Sequence, residues 1–151
     1  MGGPQPTVFT IGYEKLLPPE LVNELKVNDV QRVIDVRFRP QSRRPGMSKT
    51  RFALMLADHR IVYEHRRELG TPPDIRHDYK AGRIDAGMAR FRDYIEREHA
   101  DALDDLAEEL TSEGVPPTAL MCLEDDPACC HRRVLTEALR QRRPDLRVID
   151  L

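Results

Sequence analysis

The chain has 151 residues, of which 40% are hydrophobic and 33% charged, with a formal net charge of −2. One domain with a sizeable core and a heavily charged surface follows from those numbers. The balance of charge excludes a polycation, so any nucleic-acid contact would need a local arginine patch. No apolar run approaches the ~20 residues of a membrane helix. The start, Met1-Gly2-Gly3-Pro4-Gln5-Pro6, lacks the charged and apolar regions of a signal peptide, and Pro6 stands where a myristoylation motif wants Ser or Thr. The expectation is a cytoplasmic protein with no membrane contact, whose cysteines are reduced and form no structural disulfide.

Taken in order, Thr7 to Ile11 reads as a first strand ended by Gly12, with Tyr13 and Glu14 in the loop behind it. Pro18-Pro19 opens a helix from Glu20 to Lys26, with Leu21, Val22 and Leu25 on one side. Arg32 to Val36 is a second strand that delivers Asp35, Arg37 and Arg39 to its carboxyl end. Pro40, Pro45 and Gly46 mark a loop, and Ser48 caps a helix from Lys49 to Asp58 whose apolar face is Phe52, Leu54, Met55 and Leu56. Arg60 to Tyr63 is a short third strand. Leu69 to Arg83, with Gly70, Pro72, Pro73 and Gly82, reads as an irregular excursion.

Gly87 to Leu110 is helical again. Met88, Phe91, Tyr94 with Ile95, Ala102 with Leu103, Leu106 and Leu110 form its buried stripe, and a break is expected near His99-Ala100. The acidic run from Asp101 to Glu109 reads as a solvated face. Thr118 to Leu123 is nearly all apolar and suits a central strand covered on both faces. Asp126 is a natural N-cap and Pro127 fits the first helical position, giving a helix from Pro127 to Arg142. Leu146 to Leu151 is a last strand.

Strands alternating with helices predict a single α/β domain, a mainly parallel sheet flanked by helices on both faces, Rossmann-like. The strands beginning at Thr7, Arg32 and Thr118 are expected to be adjacent. Ligands of such sheets bind at the carboxyl ends of the strands, where Tyr13, Glu14, Arg37, Arg39, Cys122 and Glu124 all fall. At ~100° per residue, Val134, Leu135, Ala138 and Leu139 share the arc facing the sheet. His131 falls on the same arc, Cys130 and Arg132 flank it, and Cys129 points away. Tyr13, Glu14, Arg37, Cys122, Glu124, Cys130, His131 and Arg132 are therefore expected to line one cavity. The competing reading makes His131 a core-edge histidine and the cysteines small buried hydrophobes.

Thr10-Ile11-Gly12-Tyr13-Glu14, Asp35-Val36-Arg37 with Pro40, Ser42-Arg43 and Gly46, and Cys122-Leu123-Glu124 with Pro127 and Cys130-His131-Arg132 together resemble the DUF488 family. The order and spacing match from Thr7 to about Leu139. The resemblance implies an α/β domain of small bacterial or archaeal cytoplasmic proteins and supplies no reaction.

Three chemistries fit these residues. In the first, an enzyme takes a phosphorylated, nucleotide-like or nucleic-acid substrate. Arg37, Arg39, Arg43 and Arg132 grip phosphate, with Tyr13 and Cys122 alongside. Cys130, beside His131 and Arg132 near a helix start, is the nucleophile, and Glu124 or Glu14 the acid or base. The oxyanion is expected at the amino end of the helix beginning at Pro127, with Arg37 as its main charge. Neither a Cys-x5-Arg phosphatase loop nor a glycine-rich phosphate loop is present. In the second, Cys122, Cys130 and His131 hold zinc. In the third, the chain is a non-catalytic regulatory module gripping nucleic acid through the loop from Arg37 to Arg51. There Arg37 pairing with Glu14 or Glu124 would simply hold the loop down. Cofactor, reaction and oligomeric state stay open.

Overall fold

The computed structural model describes residues 5–124 and 130–151. Five parallel strands form one sheet in the order β3-β2-β4-β1-β5. They are β1 (Thr7–Gly12), β2 (Arg32–Asp35), β3 (Val62–His65), β4 (Thr118–Cys122) and β5 (Arg147–Asp150). The helices among the described residues are α1 (Pro18–Val27), α2 (Lys49–Asp58), α3 (Pro73–Lys80), α4 (Ile84–Glu98), α5 (Ala100–Leu110) and α6 (Arg132–Arg142). The result is a single α/β domain of Rossmann-like design, with β1, β4 and β2 adjacent as their apolar sequences require. Every residue of β2 and β4 is buried, as befits strands covered on both faces.

Side chains alternate across the sheet. Ala119 and Met121 face α1 and α2, where Leu21, Leu25, Phe52 and Leu56 complete one core layer. Leu120 and Cys122 face the other way, onto Phe91, Ile95, Leu103 and Leu135 from α4, α5 and α6. Burying each of these larger side chains contributes roughly 1.5–3 kcal/mol. β1 and β4 are neighbours, yet β1 leads to α1 on one face and β4 leads to α6 on the other. That divergence opens the carboxyl edge between them, the place where open α/β sheets receive ligands. The register brings the strand ends level: Gly12 pairs with Cys122, and Asp35 with Met121.

Several elements differ from the sequence expectation. β3 begins at Val62 rather than Arg60, because Arg60 has φ of 61° and the Ile61 amide still bonds to Leu56 O at 2.9 Å in the turn that closes α2. In α2 the buried pair is Phe52 and Leu56, one turn apart, while Leu54 lies on the far side and is exposed. The stretch read as irregular contains α3. The long helical stripe does divide at His99, into α4 and α5. Asp126, Pro127 and Cys129 lie outside the described residues, and with them the expected helix start. Among the described residues α6 runs from Arg132, with His131 at its N-cap.

Candidate functional site

Two polar groupings occupy the carboxyl edge, one on each face of the sheet. On the α1–α2 face, Asp35 ends β2 with no exposed surface. Arg37 Nε donates to Asp35 Oδ1 at 2.9 Å and Nη2 donates to Oδ2 at 2.7 Å. Arg37 Nη1 donates to Tyr13 OH at 3.2 Å and to Met47 O at 2.7 Å. Tyr63 OH also donates to Asp35. Burial alone would lower the Arg37 pKa, but the Asp35 carboxylate outweighs it and holds the guanidinium protonated. Burial together with the Asp35 bond pushes the Tyr63 hydroxyl pKa up.

On the opposite face, β4 delivers Cys122 and the approach to α6 delivers Cys130 and His131, all three buried. The Sγ atoms of Cys122 and Cys130 are joined, which corrects the expectation that no disulfide forms: the strand end and the helix start aim both sulfurs at one point. Their Cα atoms stand 7.6 Å apart. His131 Nε2 lies 2.8 Å from Val36 O. A carbonyl only accepts, so Nε2 carries the proton and Nδ1 keeps its lone pair. That lone pair faces Cys130 Sγ at 3.6 Å. Burial pushes His131 down to about 4, against the Val36 bond and with help from the charges of Arg76 and Arg132. The imidazole is therefore neutral near pH 7. Its ring meets Phe91 edge-on at 5.3 Å, which fixes its plane.

α3 closes this side. Pro73 fits its first turn, and Ile75 anchors it to the core. Its lead-in is fixed by Gly70: a Cβ there would meet Phe38 N at 2.4 Å, so only glycine lets the two backbones touch. A void of about 10 Å³, room for a single water or ion, is bounded by Thr71, Arg76, Tyr79, Glu124, Cys130 and His131. Among the described residues, Thr71 Oγ1 and Tyr79 OH are buried at it without a hydrogen-bond partner. Burial raises the Glu124 carboxyl pKa, with the nearby Glu14 charge adding to it and Arg76 and Arg132 opposing. Outside the void, and sharing Thr71 and Arg76 with it, lies a cleft of about 330 Å³ lined by Phe38, Arg39, Gln41, Pro73, His77 and Lys80. Its lining carries three cations and no carboxylate. Among the described residues, no hydrogen bond or ion pair engages the side chains of Arg39, Arg76 or Lys80.

The sheet thus divides the residues singled out from sequence. Cys122, Cys130, His131 and Glu124 come together. Tyr13 and Arg37 belong to the other face, and Arg37 pairs with Asp35 rather than with Glu14 or Glu124. Arg132 is fully buried and acts as a staple: Nη1 donates to Thr10 Oγ1 at 2.9 Å and Nη2 to Glu124 O at 2.7 Å. Glu14 is exposed, its amide bonded to Leu123 O at 2.8 Å. Arg39 lines the cationic cleft. Arg43 lies apart, in a recess of about 520 Å³ around the 40–51 loop. There Arg44 is tied down on the carbonyls of Tyr13, Glu14 and Leu16. Another cavity, about 930 Å³, is at the amino ends of the strands, lined by Pro6, Asn28, Pro116 and Arg147 among others. Its described lining residues include no cysteine or histidine.

Arg76, Tyr79 and Lys80 were missed with the helix that carries them, and Thr71 with the segment that leads into it. Pro73 at a helix start, with Ile75–Tyr79 and Arg76–Lys80 each spaced by four, was the available signal.

The chain is thus a single α/β domain with an all-parallel sheet, and a buried Cys–Cys–His group lies at its carboxyl edge. The family described as "Domain of unknown function DUF488" matches residues 18–139, and the chain belongs to it. No curated protein and no solved structure matches the chain. No helix among the described residues is long and apolar enough to cross a membrane.

Proposed function

We propose that the protein binds a small phosphate-bearing ligand, of nucleotide size, in the cleft of Arg39, Arg76 and Lys80, and acts on it at the cysteine–histidine cluster at the inner end of that cleft. The observation that carries this reading is a run of cations, leading to buried polar atoms, that have no hydrogen-bond or ion-pair partner among the described residues. A cation engaged by no hydrogen bond or ion pair among the described residues, beside such a hydroxyl, is what an anion would satisfy. The cleft volume sits at the lower end of small-molecule sites, roughly 300–1,000 Å³. Arg76 takes the part that the sequence reading gave to Arg37, because Arg37 is already committed to Asp35.

With the Cys122–Cys130 bond reduced, chemistry at the inner end would rest on thiolate sulfur. Cys130 is flanked by the bare Nδ1 of a neutral imidazole, and a thiol needs deprotonation whether it serves as nucleophile or as ligand. Glu124, held toward its neutral form by burial, is the carboxyl available to exchange a proton with a bound ligand.

The test is a thermal-shift titration of the wild type and of Arg76→Ala with inorganic phosphate and with mono- and dinucleotides. A ligand present at ~100 times Kd stabilises by about 2.7 kcal/mol. The wild type is expected to shift and Arg76→Ala to shift less at every concentration. An unshifted wild type, or equal shifts in the two proteins, rejects the reading.

A further inference from the structure

The cysteine–histidine cluster has the shape of a metal site. We propose that, with the pair reduced, Cys122 Sγ, Cys130 Sγ and His131 Nδ1 hold one Zn²⁺ ion, leaving its fourth position toward the void between Thr71, Tyr79 and Glu124.

Three geometric observations converge. All three donor atoms are buried and lie within 4.8 Å of one another. The Cys130 Sγ to His131 Nδ1 distance is 3.6 Å. Zinc ligands at about 2.3 Å for sulfur and 2.0–2.1 Å for nitrogen, at a tetrahedral angle, stand roughly 3.6 Å apart. The 7.6 Å between the Cys122 and Cys130 Cα atoms exceeds the ~7 Å beyond which a disulfide requires backbone movement. Two thiolates on one zinc stand about 3.8 Å apart, which lengthens the usual Cα spacing of a disulfide to roughly 7.5 Å. The backbone is thus spaced for sulfurs bridged by an ion, more widely than for sulfurs bonded to each other.

The surroundings agree. A zinc-bound imidazole characteristically donates its other N–H to a carbonyl or carboxylate, which fixes the tautomer and the ring plane. His131 does so to Val36 O, with Phe91 against its ring. Two sulfurs and one imidazole select zinc over magnesium or calcium, which prefer oxygen. Three protein ligands with an open fourth position mark the catalytic type of zinc site rather than the closed structural type. The orphaned Thr71 Oγ1 and the Tyr79 hydroxyl border the void that this position would face.

The joined sulfurs are the oxidised, metal-free form. Two equivalents of thiol reductant, supplied as one dithiothreitol, convert that disulfide to two thiols and become a cyclic disulfide themselves. Zinc then displaces two protons, one from each thiol, and both pass to the buffer.

The experiment titrates the reduced full chain with Co²⁺ alone, no anion ligand being present, so its outcome is independent of the phosphate reading. One equivalent is expected to give an intense thiolate-to-cobalt charge-transfer band and tetrahedral ligand-field bands, both erased by one equivalent of Zn²⁺. Cys122→Ser and Cys130→Ser should lose the charge-transfer intensity, and His131→Ala should weaken binding at least tenfold. Should those variants fold poorly, alkylation of the native wild type decides instead: Zn²⁺ should protect Cys122 and Cys130 from iodoacetamide, read by peptide mass. Absent tetrahedral bands, full intensity in Cys122→Ser, or unprotected cysteines in the zinc-loaded wild type would each overturn the proposal.

Discussion

The two faces of the carboxyl edge carry polar side chains of similar kinds to opposite ends. On the α1–α2 face, Arg37, Asp35, Tyr13 and Tyr63 form a closed network: the carboxylate receives the guanidinium and a tyrosine hydroxyl, and the remaining guanidinium hydrogens reach Tyr13 and Met47 O. On the α3–α6 face, among the described residues, Thr71 Oγ1 and Tyr79 OH are buried without a hydrogen-bond partner, and no hydrogen bond or ion pair engages the Arg76 side chain. Buried polar groups that are all satisfied fix a structure, whereas buried polar groups left over cost stability unless something else fills them. An arginine near a strand end is therefore not in itself evidence of a ligand. What separates Arg37 from Arg76 is whether the protein has already spent the hydrogen bonds.

The largest expected effect tests the closed side. Arg37→Ala leaves the Asp35 charge buried and uncompensated, a loss of roughly 3–5 kcal/mol, or on the order of 10 °C in Tm for a chain of this size. Arg37→Ala combined with Asp35→Asn should recover part of that loss, since the stranded charge is removed. Chemical denaturation measures both. A loss under ~1 kcal/mol for the single variant would mean that the network is not what holds the loop after β2.

Next in size is Gly70→Ala. The added methyl would sit 2.4 Å from Phe38 N and 2.5 Å from its Cα, both backbone atoms that cannot swing aside. Separating the two segments should lower stability by about 1–3 kcal/mol and displace Thr71, weakening phosphate stabilisation at the same time. Stability within ~0.5 kcal/mol of wild type would show that the approach to α3 is not locked to the loop after β2.

Much of this comparison could be read from the chain, but unevenly. The order of elements, the central placement of β1, β2 and β4, and the break at His99 follow from apolar runs and their period, which act over short distances. The inward lean of His131 also followed from helical phase, and it meets Val36 O as a result. The partner of Arg37 did not follow: Asp35 is the last residue of β2 and Arg37 lies two residues on, outside the strand, where the chain's turn brings its side chain back onto the carboxylate. Nor did the division of the site by the sheet, since Tyr13 and Cys122 leave neighbouring strands at the same level but on opposite sides. α3 was hidden because it offers just Ile75 and Tyr79 to the core, too few apolar positions to establish a period, amid prolines and glycines that signal a loop.

Arg76→Ala sharpens the comparison from the open side. Among the described residues no hydrogen bond or ion pair holds the side chain, so stability without ligand should change by no more than about 0.5 kcal/mol, while the stabilisation given by phosphate falls. A loss of ~2 kcal/mol without ligand would place Arg76 in the same category as Arg37 and remove the main support for an anion site.

The smallest effect carries the clearest sign. Thr10 and Thr71 are both buried threonines. Thr10 Oγ1 accepts from Arg132 Nη1 at 2.9 Å and donates to Asp150 Oδ1, whereas Thr71 Oγ1 has no hydrogen-bond partner among the described residues. Valine replaces a hydroxyl by a methyl of similar size. At Thr10 it strands the Arg132 donor and should cost about 1–3 kcal/mol. At Thr71 it removes a hydroxyl that was desolvated for nothing, so the unliganded protein should be unchanged or more stable by up to ~1 kcal/mol. If the pocket takes a ligand through that hydroxyl, the same Thr71→Val protein should also gain less from phosphate than the wild type. A variant more stable alone and less stabilised by ligand is hard to obtain from a purely structural residue. Equal destabilisation by Thr10→Val and Thr71→Val, measured under the same denaturant, would mean that Thr71 has a native partner, and the contrast between the two faces would collapse.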